Sequence, residues 1–232
     1  ARDLNGVRGV SKSTVHHYWD ALKYISCWLK ERNLVKKDIY EIDTVEQLEQ
    51  MREILYADRN FIALNKRGNQ MYSAGLNNYL RFAKGEGFHE IKDRISFLDI
   101  PMVAGTYHTE ESKKWKRSTI LRNQVIEYAG YSCEINHNHN SFIAARTNKM
   151  YMEAHHVLPL HLQKHFLHSL DVYANLICLC PICHRRIHYG LFEERKEMID
   201  KIYEERIDRL AKSGLRLGKN EFEDMGLEIL RG

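Results

Sequence analysis

The chain has 232 residues, of which 44% are hydrophobic and 28% are charged. This composition is typical of a soluble globular protein with one large or two small domains. No run approaches the ~20 consecutive apolar residues of a membrane span. The N-terminal Ala-Arg-Asp-Leu lacks the pattern of a signal peptide. We therefore expect a cytoplasmic protein without membrane contact. A net charge of +4 is compatible with a nucleic-acid partner but does not by itself indicate one.

The first part of the chain has the apolar periodicity of helices. The expected helix starts are Ser13, Thr44 and Tyr72. Ser13 is the expected N-cap of the first helix, and Thr44 and Gln47 fit a capping box at the start of the second. The third helix is expected to end at Ala83, before a pair of glycines. We therefore predict a helical domain over residues 1–92.

A loss of periodicity marks the expected junction between two domains. Residues 89–112 carry no regular apolar pattern, so we place a linker at residues 93–118. A basic run around a tryptophan ends this linker and is either the solvated start of a helix or a site of phosphate contact. Its cations, which we name as candidate DNA-binding residues, are Lys113, Lys114, Lys116 and Arg117. A helix from Ile120 to Gly130 is expected to follow.

Cysteine and histidine are concentrated in the second half of the chain. Four of the five cysteines lie within the 51 residues from Cys133 to Cys183, and nine of the thirteen histidines lie between His137 and His188. Reducing conditions keep thiols free for coordination, so this clustering favours metal binding over disulfide bonds. Cys178, in a presumed strand, and Cys27, on the first helix, are expected to be packing residues.

Three consecutive segments contain the residues with metal-binding or catalytic chemistry. The first, Tyr151–Pro159, is predicted to be a strand that enters a loop and carries His155 and His156. The second, Asp171–Leu179, is predicted to be a loop that turns into a strand and carries Asn175. The third is a Cys-x-x-Cys knuckle, Cys180 and Cys183, which opens a helix. His184 and His188 lie four residues apart on that helix, so both face one side at metal-ligand spacing.

In order and spacing, these segments resemble the HNH endonucleases, whose site is a ββα metal finger. The resemblance covers roughly residues 119–213. It implies an α+β fold in which the helical N-terminal domain is followed by a zinc-stabilised nuclease domain at 119–214. Residues 215–232 are then expected to be a C-terminal tail.

The resemblance also implies a role for each residue. His156 matches the general base that takes a proton from the attacking water, and Asn175 matches the residue that holds the loop bearing this base. The ligands of one catalytic divalent cation, as in the colicin-type DNases, are His155, His184 and His188. The cation is expected to be Mg²⁺ or Mn²⁺, with Ni²⁺ or Zn²⁺ as alternatives. An imidazole with a pKa near ~6.5 and a divalent cation suit phosphodiester hydrolysis at neutral pH.

A second, structural zinc ion is expected beside the catalytic one. The usual family pattern has two Cys-x-x-Cys pairs, and this sequence departs from it because Cys133 is followed by histidines instead of a second cysteine. We predict a zinc site of three cysteines and one histidine, with His137 as the alternative to His139. The predicted ligands are Cys133, His139, Cys180 and Cys183.

Three further polar residues close to these ligands are candidates for function. Arg185 and Arg186 follow a predicted ligand near the helix start, and we predict that both contact DNA phosphates. Glu153 is either a hydrogen-bond partner of a metal-bound histidine or a solvent-facing residue.

The predicted function is metal-dependent endonucleolytic cleavage of double-stranded DNA, with restriction as the expected context. A helical module joined to an HNH domain is similar to the architecture of several bacterial restriction enzymes. The helical domain, whose segment from Tyr72 looks like the core-binding domains of tyrosine recombinases, is expected to bind DNA or to dimerise. A homodimer is expected for double-strand breaks, and no small-molecule substrate is expected. The alternatives are a homing or phage-type nickase and a catalytically silent, zinc-stabilised DNA-binding protein.

Overall fold

The computed structural model describes residues 10–35, 38–42, 44–88, 99–104, 107–108, 114–115 and 118–227. The fold is α+β, mostly helical with small two-stranded sheets. The chain divides into two compact units. The first comprises residues 1–90 with 118–120, and the second comprises residues 91–117 and 121–232.

The first unit is built from helices that share one apolar core. They are α1 (Lys12–Glu31), α2 (Val45–Ala57), α3 (Arg59–Arg67) and α4 (Met71–Lys84), with a short 3₁₀ turn at Ile39–Glu41. Their apolar faces bury Ile25, Leu29, Leu48, Leu55 and Leu76, among others. Helices α1 and α4 approach closely at Gly75, where an added Cβ would lie 3.2 Å from the Cβ of Ala21.

Side-chain caps explain where these helices begin. The N-cap of α1 is Ser11, whose Oγ accepts from the Thr14 amide at 3.2 Å, so the predicted cap at Ser13 is wrong by two residues. The predicted capping-box start of α2 is confirmed, because the Thr44 hydroxyl accepts from the Gln47 amide at 3.1 Å. Helix α3 was not predicted. It begins directly after α2 because the Asp58 side chain caps it.

The second unit contains helices and paired strands. The helices are α5 (Thr119–Tyr128), whose first two residues are assigned to the first unit, α6 (Pro181–Tyr189), α7 (Phe192–Lys212) and α8 (Lys219–Gly226). The antiparallel strand pairs are β1 (Tyr107–His108) with β2 (Lys114–Trp115), β3 (Ile143–Ala144) with β4 (Lys149–Met150), and β5 (Glu153–His156) with β6 (Leu176–Leu179). Short 3₁₀ turns lie at Leu160–His165 and Tyr173–Asn175.

Two segments differ from the sequence expectations. Lys114 lies in β2 rather than at a helix start, while Lys113, Lys116 and Arg117 lie outside the described residues. The segment expected to be a C-terminal tail contains α8, whose Phe222 is fully buried. It packs there because the ring of Phe222 contacts the ring of Tyr203 on α7, at a centroid distance of 5.2 Å.

The strand pair β5–β6 positions the candidate site. Every residue of β6 is buried, so this strand forms the centre of the second core. In the register of the pair, His155 lies opposite Ile177 and His156 lies opposite Leu176. Helix α6 follows β6 after a single residue and contacts both strands. His155 therefore lies beside α6, where its ring contacts the rings of His184 and His188.

Candidate metal centres and active site

Three cysteines and one histidine form a cluster that could hold a structural metal ion such as zinc. The ligand atoms of Cys133, His139, Cys180 and Cys183 all lie within 4.8 Å of one another. The His139 Nδ1 atom is 3.2 Å from the Cys183 sulfur and 3.9 Å from the Cys180 sulfur. His137, the alternative ligand, lies outside this cluster and contacts the Ser132 hydroxyl at 3.1 Å. Three thiolates and one imidazole are a common donor set for tetrahedral zinc.

The start of α6 gives the cysteine pair its geometry. Cys180 is the N-cap residue, and its sulfur accepts from the Cys183 amide at 3.4 Å. Burial raises the pKa of Cys133. Hydrogen bonds, first that from the Cys180 backbone amide, together lower it by more, so the net pKa is below that of an ordinary thiol. Burial and the nearby Cys133 thiolate raise the pKa of Cys183. A bound cation would offset the repulsion among these thiolates.

Of the remaining cysteines, one is placed as expected and one is not. Cys178 is buried in β6, in agreement with its predicted packing role. Cys27 is exposed on α1, so the expectation that it belongs to the core is wrong. Its neighbours Ser26 and Trp28 point into the unit instead.

Three imidazoles form a second cluster, which the structure places apart from the cysteines. His155 comes from β5, and His184 and His188 come from successive turns of α6. Their ligand atoms lie within 4.8 Å of one another, and the ring centroids are 4.7 to 5.1 Å apart. His188 is exposed, so the cluster is open to solvent on that side. Burial first, and then the neighbouring imidazoles, lower the pKa of His155 well below its usual value, which favours the neutral form that binds metals.

Glu153 lies next to this cluster and contacts His184, one of its members. Its Oε2 atom is hydrogen-bonded to Nδ1 of His184, and its Oε1 atom accepts from the Tyr151 hydroxyl at 3.1 Å. Burial raises the pKa of Glu153, but the hydrogen bond and charge of His184, the hydrogen bond from Tyr151 and the charge of Arg185 together outweigh it, so the net pKa is lowered and the carboxylate stays charged. The contact leaves Nε2 of His184 as the atom available to a metal ion. Glu153 is therefore a partner of a candidate ligand rather than a solvent-facing residue.

His156, the predicted general base, has a partner that the sequence analysis missed. Its Nε2 atom is 2.8 Å from Oδ1 of Asp171, and both side chains are largely buried. Asp171 lies four residues before Asn175, but this spacing carries no signal that would pair it with His156.

Asn175 is fully buried and holds the loop that follows His156. Its side chain accepts from the Leu158 amide at 2.8 Å and donates to the carbonyls of Leu158 and Leu170. Its own carbonyl accepts from the Val157 amide at 3.0 Å. All these bonds go to backbone groups, so Asn175 fixes the chain just after His156 and just before Asp171, whereas Asp171 contacts the imidazole itself.

The two arginines of α6 have different surroundings. Arg185 is exposed. Arg186 faces two carboxylates of α7, with an Nη2 atom 3.6 Å from Glu194 and 3.5 Å from Glu197. Arg185 is therefore the better placed of the two to contact an external anion.

No family model matches the chain. Over 100 residues the chain is 31% identical to the type IV methyl-directed restriction enzyme EcoKMcrA of Escherichia coli strain K12. The match covers 43% of this chain and 33% of the relative, so it spans about a third of that enzyme's length.

Among the described residues, no helix combines the length and apolar character needed to cross a bilayer.

Proposed function

We propose that the chain is a divalent-metal-dependent HNH endonuclease that cleaves double-stranded DNA in a restriction system. One observation carries the proposal. Three imidazoles, His155, His184 and His188, converge on one point, and a fourth, His156, extends from the adjacent position of the same strand. Such an arrangement would offer a cation site with a base at the next position of the strand, which are the two groups that phosphodiester hydrolysis requires.

Each residue then has a defined task. The three clustered imidazoles would hold the cation, which offsets negative charge on the phosphate and on the leaving 3′ oxygen when it is bound. His156 takes a proton from the attacking water, and Asn175 keeps the loop after His156 in place. The donor set favours Mn²⁺ or Ni²⁺ over Mg²⁺, because imidazole is a better ligand for transition metals than for magnesium.

DNA as the substrate and restriction as the context are supported by the similarity to a restriction enzyme. Arg185 is exposed one residue after a proposed ligand, so it is our first candidate for phosphate contact, followed by Arg186 and the basic run. The first unit is proposed to bind DNA or to dimerise, because one active site cuts one strand and a double-strand break needs two.

The test is cleavage of plasmid DNA by the purified chain with Mn²⁺, Ni²⁺ or Mg²⁺. We expect cleavage that EDTA abolishes, and a loss of rate of about 10²-fold or more in His156→Ala, which removes the base. His161→Ala is the matched control, since His161 is an exposed histidine of the same loop region and should leave the rate unchanged. Plasmid that stays intact with every metal, whether methylated or unmethylated, would contradict the proposal.

Counting bound metal separates the enzyme from a silent DNA-binding protein. The enzyme is expected to hold one tightly bound zinc at the Cys133 cluster and one exchangeable ion at the His155 cluster. A silent protein would bind one zinc ion only, and His156→Ala would change none of its measured properties.

Product analysis separates the nickase alternative, because a nickase yields open circles without linear DNA.

A further inference from the structure

A buried carboxylate fixes one nitrogen of the proposed base. Oδ1 of Asp171 lies 2.8 Å from Nε2 of His156, and the side chains are only 14% and 10% exposed. The two residues are 15 positions apart in the chain, so the tertiary fold brings them together. Glu153 bonds His184 instead, and Asn175 bonds backbone groups.

The backbone that carries Asp171 is itself held in place. The Asp171 amide donates to the Ser169 hydroxyl at 3.0 Å, and the Leu170 amide donates to the Gln163 side chain at 2.7 Å. The Leu170 carbonyl accepts from Asn175 at 2.8 Å. Leu170 and Val172, the neighbours on both sides, are buried in the second core. The carboxylate is thus attached to a fixed segment and not to a mobile loop.

A carboxylate accepts hydrogen bonds and donates none, so its partner nitrogen must carry the proton. In the neutral imidazole of His156 the proton therefore lies on Nε2, and the lone pair lies on Nδ1. We propose that Asp171 is a positioning residue that holds His156 in this tautomer and orientation, with Nδ1 as the atom that accepts the proton from water. The inference rests on the proposed endonuclease activity for the reaction step, although the tautomer can be measured without it.

The reaction step balances with this assignment. The water oxygen forms a bond to phosphorus while its proton moves to Nδ1 of His156, and the resulting imidazolium is stabilised by the charge of Asp171. The bond from phosphorus to the 3′ oxygen breaks, the bonding pair leaves with that oxygen, and the oxygen takes a proton from bulk water. His156 then returns its proton to solvent. The step needs no oxidant, reductant or further reactant.

The test compares Asp171→Asn and Asp171→Ala with wild type in kcat and KM for plasmid cleavage. The asparagine variant keeps the shape of the side chain but removes the charge, and its amide can donate to Nε2 and so favour the wrong tautomer. We expect kcat to fall about 10²-fold or more, as for other carboxylates that orient a catalytic histidine, with KM within about twofold. The matched control is Asp208→Asn, which neutralises an exposed aspartate of the same unit and should change neither constant.

The tautomer provides a readout independent of cleavage. Long-range ¹H–¹⁵N spectra of the zinc-loaded protein, with the His156 signals assigned from His156→Gln, should show the proton on Nε2 in wild type and a loss of this preference in both Asp171 variants. A proton on Nδ1 in wild type, or wild-type kcat in Asp171→Asn, would overturn the inference. If wild type cuts no DNA, the proposed function fails, and the spectra still decide the tautomer. If Asp171→Ala does not fold, the asparagine variant and the wild-type spectrum decide the outcome.

Discussion

At the scale of single residues, Glu153 determines which ring nitrogen of His184 is left for the histidine cluster, because it occupies Nδ1 and leaves Nε2. Its carboxylate bonds Nδ1 and receives a second hydrogen bond from Tyr151, so the imidazole cannot rotate without losing its partner. A histidine ligand fixed in this way binds metal more tightly, because its tautomer and orientation need not be selected on binding.

Glu153→Gln should therefore weaken metal binding at the histidine cluster about 10-fold, since an amide supports the His184 imidazole less well than a carboxylate does. The measurement is a calorimetric titration with Mn²⁺ of protein whose cysteine cluster is already filled with zinc. Glu204→Gln, at an exposed position of α7, is the control and should bind Mn²⁺ like wild type. An unchanged affinity in Glu153→Gln would show that the carboxylate does not support the ligand.

The sequence predicted the imidazoles and thiols of the two clusters, whereas it missed Asp171 and left Glu153 between two interpretations. Ligand spacing is local along α6, so His184 and His188 could be predicted from a four-residue interval. The partners of His156 and His184 depend on strand register and on the path of a loop between two 3₁₀ turns, and neither leaves a periodic signal. For that reason Asp171 was missed, and the role of Glu153 stayed open between two interpretations.

At the scale of elements, a buried arginine joins α7 to the β5–β6 region. The Arg206 Nη1 atom donates to the carbonyls of Tyr173, Ala174 and Leu176, at 3.3, 3.1 and 2.6 Å, and Nη2 bonds Glu134. Glu134 in turn accepts from the Cys178 amide of β6 at 2.6 Å. Burial lowers the pKa of Arg206 below its ordinary value, while the charge of Glu134 counteracts this. The arginine thus holds the turn that contains Asn175.

Arg206→Ala should lower the free energy of unfolding of the second unit by about 3–5 kcal/mol, because it leaves the Glu134 carboxylate and several carbonyls without their partner. Urea unfolding of the zinc-loaded protein measures the change. Arg216→Ala, at an exposed position, is the control and should stay within about 0.5 kcal/mol of wild type. A loss in Arg206→Ala as small as in this control would contradict the structural role.

Long periodic elements could be predicted from sequence, whereas two of the short helices could not. The helix expected from Tyr72 to Ala83 is observed as Met71–Lys84, and Gly85 ends it with a left-handed φ of 75°. Helix α3 has nine residues and follows α2 without a loop, so its pattern merges with that of its neighbour. Helix α8 has eight residues, too few for a clear periodic pattern, and it is held by packing against α7. The packing is close, because an added Cβ at Gly226 would lie 2.9 Å from Ile199 of α7.

At the scale of the whole molecule, the two units have separate apolar cores. The metal-ligand clusters found among the described residues belong to the second unit. The cysteine cluster joins Cys133, after α5, and His139 to the start of α6. A bound ion there would cross-link three segments of the second unit, so that unit should depend on metal and the first should not.

Removal of a metal ion bound at the cysteine cluster should therefore loosen one unit selectively. We expect that chelation with 1,10-phenanthroline, or the substitution Cys133→Ser, speeds hydrogen exchange of backbone amides in β5, β6 and α6, because these amides lose the cross-link that orders them. Exchange in α1 and α4 should stay unchanged, since their core contains no ligand of this cluster. Cys27→Ser, at an exposed thiol of α1, is the matched control and should alter neither unit. Equal loosening of both units would show that their stabilities are coupled, and no change in β5, β6 and α6 would remove the structural role of the metal.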